Sequence, residues 1–174
     1  MMEFVYAYAY FVLYAFLGWV CEDLYCGIPA KKFINRGFFY GPYCPIYGVG
    51  ALLVLYPLLF VKDYPILVFV LGVIITSALE YITSWVMVIL FKTRWWDYSE
   101  RFININGRVC LLNSTLFGIM SIVVVYIIHP VIQDIVMDIP FTALMSFLSA
   151  FTIGFGIDCV FTVLALLRRK QVFQ

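Results

Sequence analysis

The chain has 174 residues, of which 65% are hydrophobic and only 12% are charged, whereas a soluble domain is about 45–50% apolar and about 25% charged. With half the usual charge, the chain cannot cover a globule of this size with polar groups, so a soluble domain and a disordered chain are excluded. The formal net charge of +1 supplies no basic surface for a polyanion, which excludes nucleic acid as a partner. The composition therefore predicts a protein whose main partner is the lipid bilayer.

Apolar stretches long enough to cross a bilayer occur five times along the chain, since a crossing helix needs about 20 residues. In lipid each stretch must be a helix, because its backbone polar groups have no water to bind. The second stretch is short and contains Pro57, which predicts a kinked, shallow or partly re-entrant span. We therefore predict an all-α fold, a single domain that forms a transmembrane helix bundle of about five spans. The predicted spans are residues 4–26, 45–61, 65–91, 109–128 and 141–167.

Lysine and arginine are distributed unevenly among the segments that connect these spans. Ten of the 11 fall in the loops after the first and third spans and in the C-terminal tail, whereas Lys62 is the exception on the opposite side. Cytoplasmic segments of membrane proteins carry the excess of lysine and arginine. The asymmetry predicts a multi-pass protein of the cell membrane with its N-terminus outside and its C-terminus in the cytoplasm.

Carboxylates lie inside three predicted spans, where a charge near the bilayer centre costs at least about 2.5–3.5 kcal/mol. Glu80 lies close to the middle of the third span, Asp158 lies just past the middle of the fifth, and Glu22 closes the first. Small and polar residues share helix faces with them, which favours close helix packing. Because a carboxylate is a costly residue for packing alone, we interpret Glu80 and Asp158 as functional.

Arg36 and Arg108 come from the two basic loops and are the natural cations for these carboxylates, because a nearby opposite charge favours the ionised form. We therefore predict a polar cavity that opens to the cytoplasm, with acidic walls and an arginine-bearing rim. The one histidine, His129, is followed by Pro130 and is interpreted as a cap at the outer end of the fourth span. With no C-x-x-C spacing among five cysteines, neither a metal nor a cofactor is expected.

Two connecting loops, residues 27–44 and 92–108, have compositions that a simple connector does not need. The first is rich in glycine and proline, which permit and stiffen tight turns, and we expect it to fold against the helix ends or to dip into the membrane. In the second, Trp95 and Trp96 fit either an interfacial aromatic belt or a binding role. Asp97 follows them, and a polar turn from Asn104 to Arg108 precedes the fourth span.

These loops carry motifs that resemble a known family. The pattern F-x-N-R-G-x-x-x-G-P-x-x-P-I-Y-G at 33–48, E-Y at 80–81 and W-D-Y-S-x-x-F-x-N-x-x-G-R at 96–108 resemble the ABC-transporter type IV (CmpB-like) family, as does G-W-x-x-E at 18–22. The resemblance covers about residues 10–165 and implies a permease subunit in a bacterial cytoplasmic membrane. The motif positions that it carries over are Glu22, Asn35, Arg36, Gly37, Gly41, Pro42, Pro45, Tyr47, Gly48, Glu80, Trp96, Asp97, Tyr98, Ser99, Asn104, Gly107 and Arg108.

The first function that the sequence supports is a permease-like subunit of an ABC transporter, built around the predicted cavity. The chain has no G-x-x-x-x-G-K-[ST] phosphate loop, so ATP hydrolysis would require a separate ATPase subunit. Five helices are few for a translocation path, so a homo-oligomer is expected. A structural or regulatory membrane subunit is a further alternative.

The second function is an intramembrane enzyme or binding protein that acts on a lipid or lipid-linked substrate. Glu22, Glu80, Asp97 and Asp158 would then supply acid and base, and the two loop arginines would hold a phosphate. The sequence contains no recognisable Ser/His or Cys/His nucleophile pairing, which favours a protein that is not an enzyme. The candidate site residues are Glu22, Asn35, Arg36, Tyr47, Glu80, Asp97, Tyr98, Asn104, Arg108 and Asp158.

Overall fold

The computed structural model describes residues 2–31 and 38–172, most of which are helical. Within these ranges the helices are α1 (Met2–Ala30), α2 (Pro45–Leu58), α3 (Pro65–Phe91), α4 (Leu111–Val123), α5 (His129–Asp138) and α6 (Phe141–Val172). A 3-10 turn, Leu59–Val61, follows α2, and a π-helical segment, Val124–Ile128, joins α4 to α5. Strands β1 (Asn104–Ile105) and β2 (Val109–Cys110) pair as a short antiparallel hairpin.

Four helical segments of the described chain are long and apolar enough to cross a membrane, at Met2–Tyr25, Pro65–Phe91, Leu111–Asp138 and Phe141–Leu166. They coincide with the first, third, fourth and fifth predicted spans, which confirms an all-α membrane protein. The second predicted span is helical in the predicted place but shorter, at Pro45–Val61. Pro57 lies in the last turn of α2 and lacks a backbone N–H, so the α-helix gives way there to a 3-10 turn.

The fourth helix does not end at residue 128 as predicted, because it continues to Asp138. The backbone N–H of His129 bonds to the carbonyl of Val124, five residues back, as in a π-helix. A π turn is wider than an α turn, and it directly precedes Pro130, whose ring conflicts with regular α-helical geometry. His129 therefore lies inside the helix and is buried, so its interpretation as a terminal cap is wrong.

The ends of the other long helices follow local chemistry. Pro65 begins α3, and α3 ends at Phe91 as predicted, since Lys92 adopts a left-handed conformation with φ 56° and donates its N–H to the carbonyl of Val88 at 2.9 Å. Such a residue closes a helix by satisfying a terminal carbonyl. In contrast, α1 continues to Ala30, four residues beyond the predicted boundary, so the start of the first motif loop is helical.

The chain divides into two compact units, one that comprises both ends of the chain (up to Val49 and from Asp134) and one that is the continuous segment Gly50–Gln133. In the unit of the two ends, α1 packs against α6. The hydroxyl oxygens of Tyr8 and Thr152 lie 2.8 Å apart, and the Tyr8 ring meets the edge of Phe151. These contacts bring together helices that are more than a hundred residues apart in the sequence.

In the continuous unit, α3 and α4 pack closely as an antiparallel pair. Ser77 donates a hydrogen bond to Ser114 at 2.7 Å. A side chain at Gly72 would lie 2.5 Å from the side chain of Ser121, and one at Gly118 would lie 2.7 Å from the ring of Phe69. The small residues on these faces therefore allow close backbone approach, as small residues do in membrane helix pairs.

The register of this pair leaves one end of α3 without a helical neighbour from α4. Ser114 is the fourth residue of α4 and lies opposite Ser77, so α4 begins near the level of Glu80. Beyond that level α3 continues to Phe91, about three turns and about 16 Å. The loop between Lys92 and Cys110, which includes the hairpin, occupies the space beside these turns and positions the candidate site.

Candidate functional site

A buried carboxylate in α3 forms the centre of the site in the continuous unit. Glu80 is 6% exposed, and its Oε1 accepts a hydrogen bond from the hydroxyl of Tyr98 at 3.0 Å. The hydroxyl oxygen of Tyr98 in turn accepts a hydrogen bond from the side-chain amide of Asn113 at 2.6 Å. Because that oxygen is an acceptor for Asn113, its own proton is directed at Glu80. The resulting chain of donors from α4 through the loop to α3 fixes the position of the carboxylate.

Two further residues of α3, Tyr81 and Ser84, contact the hairpin. The hydroxyl of Tyr81 accepts a hydrogen bond from the amide of Asn106 at 2.9 Å. The guanidinium of Arg108 lies over the Tyr81 ring at 5.6 Å from its centroid, and its Nη1 lies 3.4 Å from the hydroxyl of Ser84. A cation over an aromatic face is attracted by the ring electrons. One and a half turns of α3 thus present a carboxylate, a phenol and a hydroxyl to three loop side chains.

The hairpin keeps these loop side chains in place through an Asn-Gly turn. Asn106 and Gly107 both have positive φ, 54° and 67°, which is the type I′ geometry that favours this dipeptide. A side chain at Gly107 would collide with Ser99 and Asp97. The carbonyl of Gly107 accepts the backbone N–H of Tyr98 at 2.8 Å, so the turn determines where the Tyr98 backbone lies.

Two more motif residues tie the loop to itself. The indole N–H of Trp96 donates to the carbonyl of Arg108 at 2.9 Å. Asn104 donates its amide to the carbonyls of Ser99 and Arg101, and its Oδ1 accepts the N–H of Gly107 at 2.9 Å. The Trp96 indole and the Asn104 side chain therefore join the two ends of the motif W-D-Y-S-x-x-F-x-N-x-x-G-R.

Asp97 is exposed and lies at the outer edge of this loop. It accepts hydrogen bonds from the Ser99 hydroxyl at 2.5 Å and from the Ser99 backbone N–H at 2.9 Å. Arg94 lies 3.3 Å away as an ion pair. The Ser99 bonds, foremost that of the hydroxyl, with the charge of Arg94, hold the pKa of Asp97 below its ordinary value of 3.8. Asp97 thus acts as an ionised acceptor that closes a local turn.

In the unit of the two chain ends, the side chains of Glu22 and Tyr47 are in contact. The Tyr47 hydroxyl donates to Oε2 of Glu22 at 2.6 Å, and the Tyr47 ring covers Gly18, where any side chain would collide with it. Gly18 and Glu22 are one helical turn apart on α1 and therefore share a face. This contact explains why the motif G-W-x-x-E at 18–22 pairs with the tyrosine at the start of α2.

Asp158 of α6 binds the segment that precedes α2. Its carboxylate accepts the backbone N–H of Gly41 at 2.8 Å and that of Tyr40 at 3.2 Å. It also accepts the hydroxyls of Tyr43 and, at 2.9 Å, of Thr162. Burial and the bond to Asp158 raise the pKa of Tyr43, so Tyr43 keeps the proton that it donates. Asp158 thus anchors residues 40–43 to α6.

The structure therefore places the predicted residues in two separate settings. Glu80, Asp97, Tyr98, Asn104 and Arg108 come together on α3 and its following loop. Glu22, Tyr47 and Asp158 belong to the unit of the two chain ends. Asn35 and Arg36 lie outside the described residues. Arg108 approaches Ser84 and Tyr81, and its predicted pairing with a carboxylate stays a prediction.

Some partners in these contacts were not identified as site residues from the sequence. Asn113 and Ser84 are among the small and polar residues whose helix faces predict close packing, and Tyr81 is part of the E-Y motif at 80–81. Tyr43 lies between the two prolines of the first motif loop, where an aromatic residue gives no sign of its partner. The available signal was proximity in sequence: each of the four lies within five residues of a motif position.

Comparison with known families agrees with the motifs. A family model described as "Putative ABC-transporter type IV" matches residues 9–163, which include every candidate site residue. No curated protein and no solved structure matches the chain. With helices that fit a multi-pass membrane protein and a family match over most of its length, this chain belongs to the ABC-transporter type IV family.

Proposed function

We propose that this protein is the membrane-embedded, permease-like subunit of an ABC transporter. Its polar path would run along α3 and open to the cytoplasm at the loop between α3 and α4. Glu80 would contact the transported solute or ion, and Tyr98, Asn113 and Arg108 would position the carboxylate and line the opening. The bacterial cytoplasmic membrane is the expected location.

The observation that carries this proposal is the buried carboxylate of Glu80. It lies 11 residues before the end of a 27-residue apolar helix and is 6% exposed. A carboxylate within a membrane-crossing helix is expensive, and such residues usually mark substrate or ion pathways. Tyr98 donates a hydrogen bond to Glu80, and Asn113 donates one to Tyr98. The carboxylate is therefore surrounded by polar groups.

The loop beside α3 supports the same interpretation. Its irregular backbone runs alongside the last turns of a helix that is long enough to cross a membrane. Non-helical backbone at such a depth is tolerated only where protein covers it or water reaches it. We infer that water enters on this side and that the hairpin covers the polar face of α3.

The energy for transport would come from ATP hydrolysis by a second protein. The sequence has no phosphate-loop motif, so this chain does not bring the ATP-binding element of P-loop ATPases. The family description names ABC transporters, which fits an ATPase partner that docks on the predicted cytoplasmic loops. Because five helices are few for a translocation path, we also propose that more than one copy is present.

The test combines partner capture with a solute comparison. Cells that lack the gene are complemented with the wild type, with Glu80→Gln, or with the control Glu100→Gln, which changes an exposed carboxylate of the adjoining loop. Each tagged protein is cross-linked in membranes, and its partners are identified by mass spectrometry.

We expect the same ATPase in all three preparations. One solute should change in the deletion strain and in Glu80→Gln, whereas Glu100→Gln should match the wild type. Absence of any ATPase, together with unchanged solutes in the deletion strain, would contradict the permease proposal. A change confined to one lipid species would instead favour the enzyme or lipid-binding alternative.

A further inference from the structure

An open groove lies between the loop that follows α3 and the first turns of α4, on the outside of the hairpin. It has a volume of about 400 Å³ and is lined by Arg101, Phe102, Leu111, Leu112 and Thr115. Small-molecule sites commonly measure about 300–1,000 Å³ and are mostly apolar with a few polar groups. The groove has this character, since three of its lining residues are apolar and one is an arginine, and none of them belongs to the Glu80 site.

The level of the groove determines what surrounds it. Leu111, Leu112 and Thr115 belong to the first turns of α4, so the groove lies near the level of Glu80. Near that level Ile82 of α3 is 55% exposed, as expected for a side chain that faces lipid. Phe102 is 83% exposed, a surface that water would disfavour and lipid would not. These exposures fit a groove that opens to the bilayer.

The segment that forms one wall is held in a strained conformation. Ile103 has φ 46°, a left-handed geometry that is a genuine outlier for a β-branched residue. Its carbonyl accepts the backbone N–H of Leu111 at 2.9 Å, and the Asn104 amide holds the carbonyl of Arg101 at 3.0 Å. Strain persists where the surroundings enforce it and is concentrated at functional sites. These bonds keep Arg101 and Phe102 beside the first turn of α4.

We propose that this groove binds one anionic phospholipid, with an acyl chain along Phe102 and Leu112 and the phosphate on Arg101. Arginine suits phosphate because its planar donors contact two oxygens at once. The path for the acyl chain continues along α4, where Leu116 and Ile119 are also about half exposed. An apolar groove that is continuous with a lipid-facing helix, with a cation at its rim, is complementary to a phospholipid. This proposal does not depend on the transport proposal.

Native mass spectrometry of the purified protein tests the site with two probes, dioleoyl phosphatidylglycerol and dioleoyl phosphatidylcholine. Arg101→Gln should weaken phosphatidylglycerol binding about tenfold, as expected for loss of one charge-assisted hydrogen bond, with a smaller effect on phosphatidylcholine. Lys92→Gln, the matched control, removes an exposed cation of the same loop that does not line the groove, and should bind both probes as the wild type does. Equal weakening by the two variants would overturn the proposal in favour of general charge attraction.

A second pair of variants tests the apolar wall. Leu112→Trp should fill the groove and weaken the binding of both probes, whereas Ile74→Trp, at an exposed position of α3 that does not line the groove, should not. A photoreactive amino acid in place of Phe102 should give a phospholipid adduct on illumination of membranes. A protein adduct at that position, or unaltered binding in Leu112→Trp, would overturn the proposal.

Discussion

The hydroxyl of Tyr98 donates a hydrogen bond to the carboxylate of Glu80 across 3.0 Å, although 18 residues separate them in sequence. The bond joins two family motifs, W-D-Y-S in the loop and E-Y in α3. A buried carboxylate without a donor is costly, and a loop beside a membrane-crossing helix requires polar partners. The loop motif therefore supplies a hydrogen-bond donor to the buried carboxylate, and the helix motif supplies an acceptor to the loop.

Tyr98→Phe should destabilise the protein by about 1–3 kcal/mol, because it removes the donor to Glu80 and the acceptor of the Asn113 amide. The free energy of unfolding is measured by denaturant titration in mixed micelles. Tyr64→Phe is the control, since Tyr64 is 67% exposed, and we expect a change within about 0.5 kcal/mol. Equal stabilities of the two variants would contradict the role of Tyr98.

Gly107→Ala should lower the stability by about 1–3 kcal/mol, since Gly107 has φ 67° and strained backbone costs this much. A Cβ there would also lie 2.5 Å from Oδ1 of Asp97. Gly154→Ala is the matched control, because a side chain on that helical glycine meets nothing within 4 Å. The control should be neutral or more stable by up to about 1 kcal/mol. Both are measured by thermal unfolding, and similar losses in both would argue against a constrained turn.

Asp158→Ala should release residues 40–43 from α6 and thereby expose the thiol of the adjoining Cys44. Cys44 is buried, its N–H bonds to the carbonyl of Ala15 at 2.9 Å, and burial, with the nearby charges of Glu22 and Asp23, raises its pKa to about 11. Since the thiolate is the reactive form, maleimide should label Cys44 slowly in the wild type.

In a protein that keeps Cys44 as its single cysteine, we expect several-fold faster maleimide labelling after Asp158→Ala. The control is Asp134→Ala, which changes an exposed carboxylate and should leave the rate unaltered. An unaltered rate in Asp158→Ala would mean that Asp158 does not anchor this segment.

Lowering the pH should destabilise the loop, because it protonates the carboxylate of Asp97. Its pKa in the folded protein lies below the ordinary value of 3.8, so its contribution is present above that value and is lost as the pH falls through the lowered pKa. The difference in Tm between wild type and Asp97→Asn should therefore shrink as the pH is lowered through that range. Ser99→Ala, which removes the principal cause of the shift, should reduce the same difference. Parallel curves for wild type and Asp97→Asn would contradict this assignment.

The predicted orientation can be tested with reporter fusions. The distribution of lysine and arginine predicts a cytoplasmic C-terminus, so a green fluorescent protein fused after Gln174 should fluoresce, and alkaline phosphatase fused there should be inactive. The same reporters fused after Lys62, which is predicted to lie outside, should give the opposite result. An active phosphatase after Gln174 would reverse the predicted orientation.

Much of the fold was predictable because lipid leaves few alternatives. Apolar runs of about 20 residues have to be helical in a bilayer, and α3 begins at Pro65 and ends before Lys92 as predicted. The continuation through Pro130 was not predictable, because proline usually ends a helix and the π turn before it has no sequence signature. The hairpin was missed, although Asn106-Gly107 between short apolar residues is a recognised signal for one.

Many residues of the site could be predicted from the sequence, but the contacts between them were harder to predict. Glu80 stood out because a carboxylate interrupts an apolar run, and Tyr98 because it belongs to a family motif. Their contact depends on the register of α3 against α4, which is set by Gly72, Ser77 and the small residues opposite them. Asp158 was predicted to line a cavity, and that role stays a prediction, whereas its contacts are with the segment before α2.

The unit built from the two chain ends has a consequence for biosynthesis. The backbone N–H of Gly41 has its acceptor in Asp158, which is 117 residues further along the chain. This hydrogen bond therefore cannot form until Asp158 has been synthesised. The segment 50–133 can complete its own contacts while the ribosome is still translating, because domains fold as units in the order of synthesis. Residues 40–43 stay without their Asp158 acceptor until α6 enters the membrane, so a truncated chain that lacks α6 should present this segment to membrane quality-control proteases.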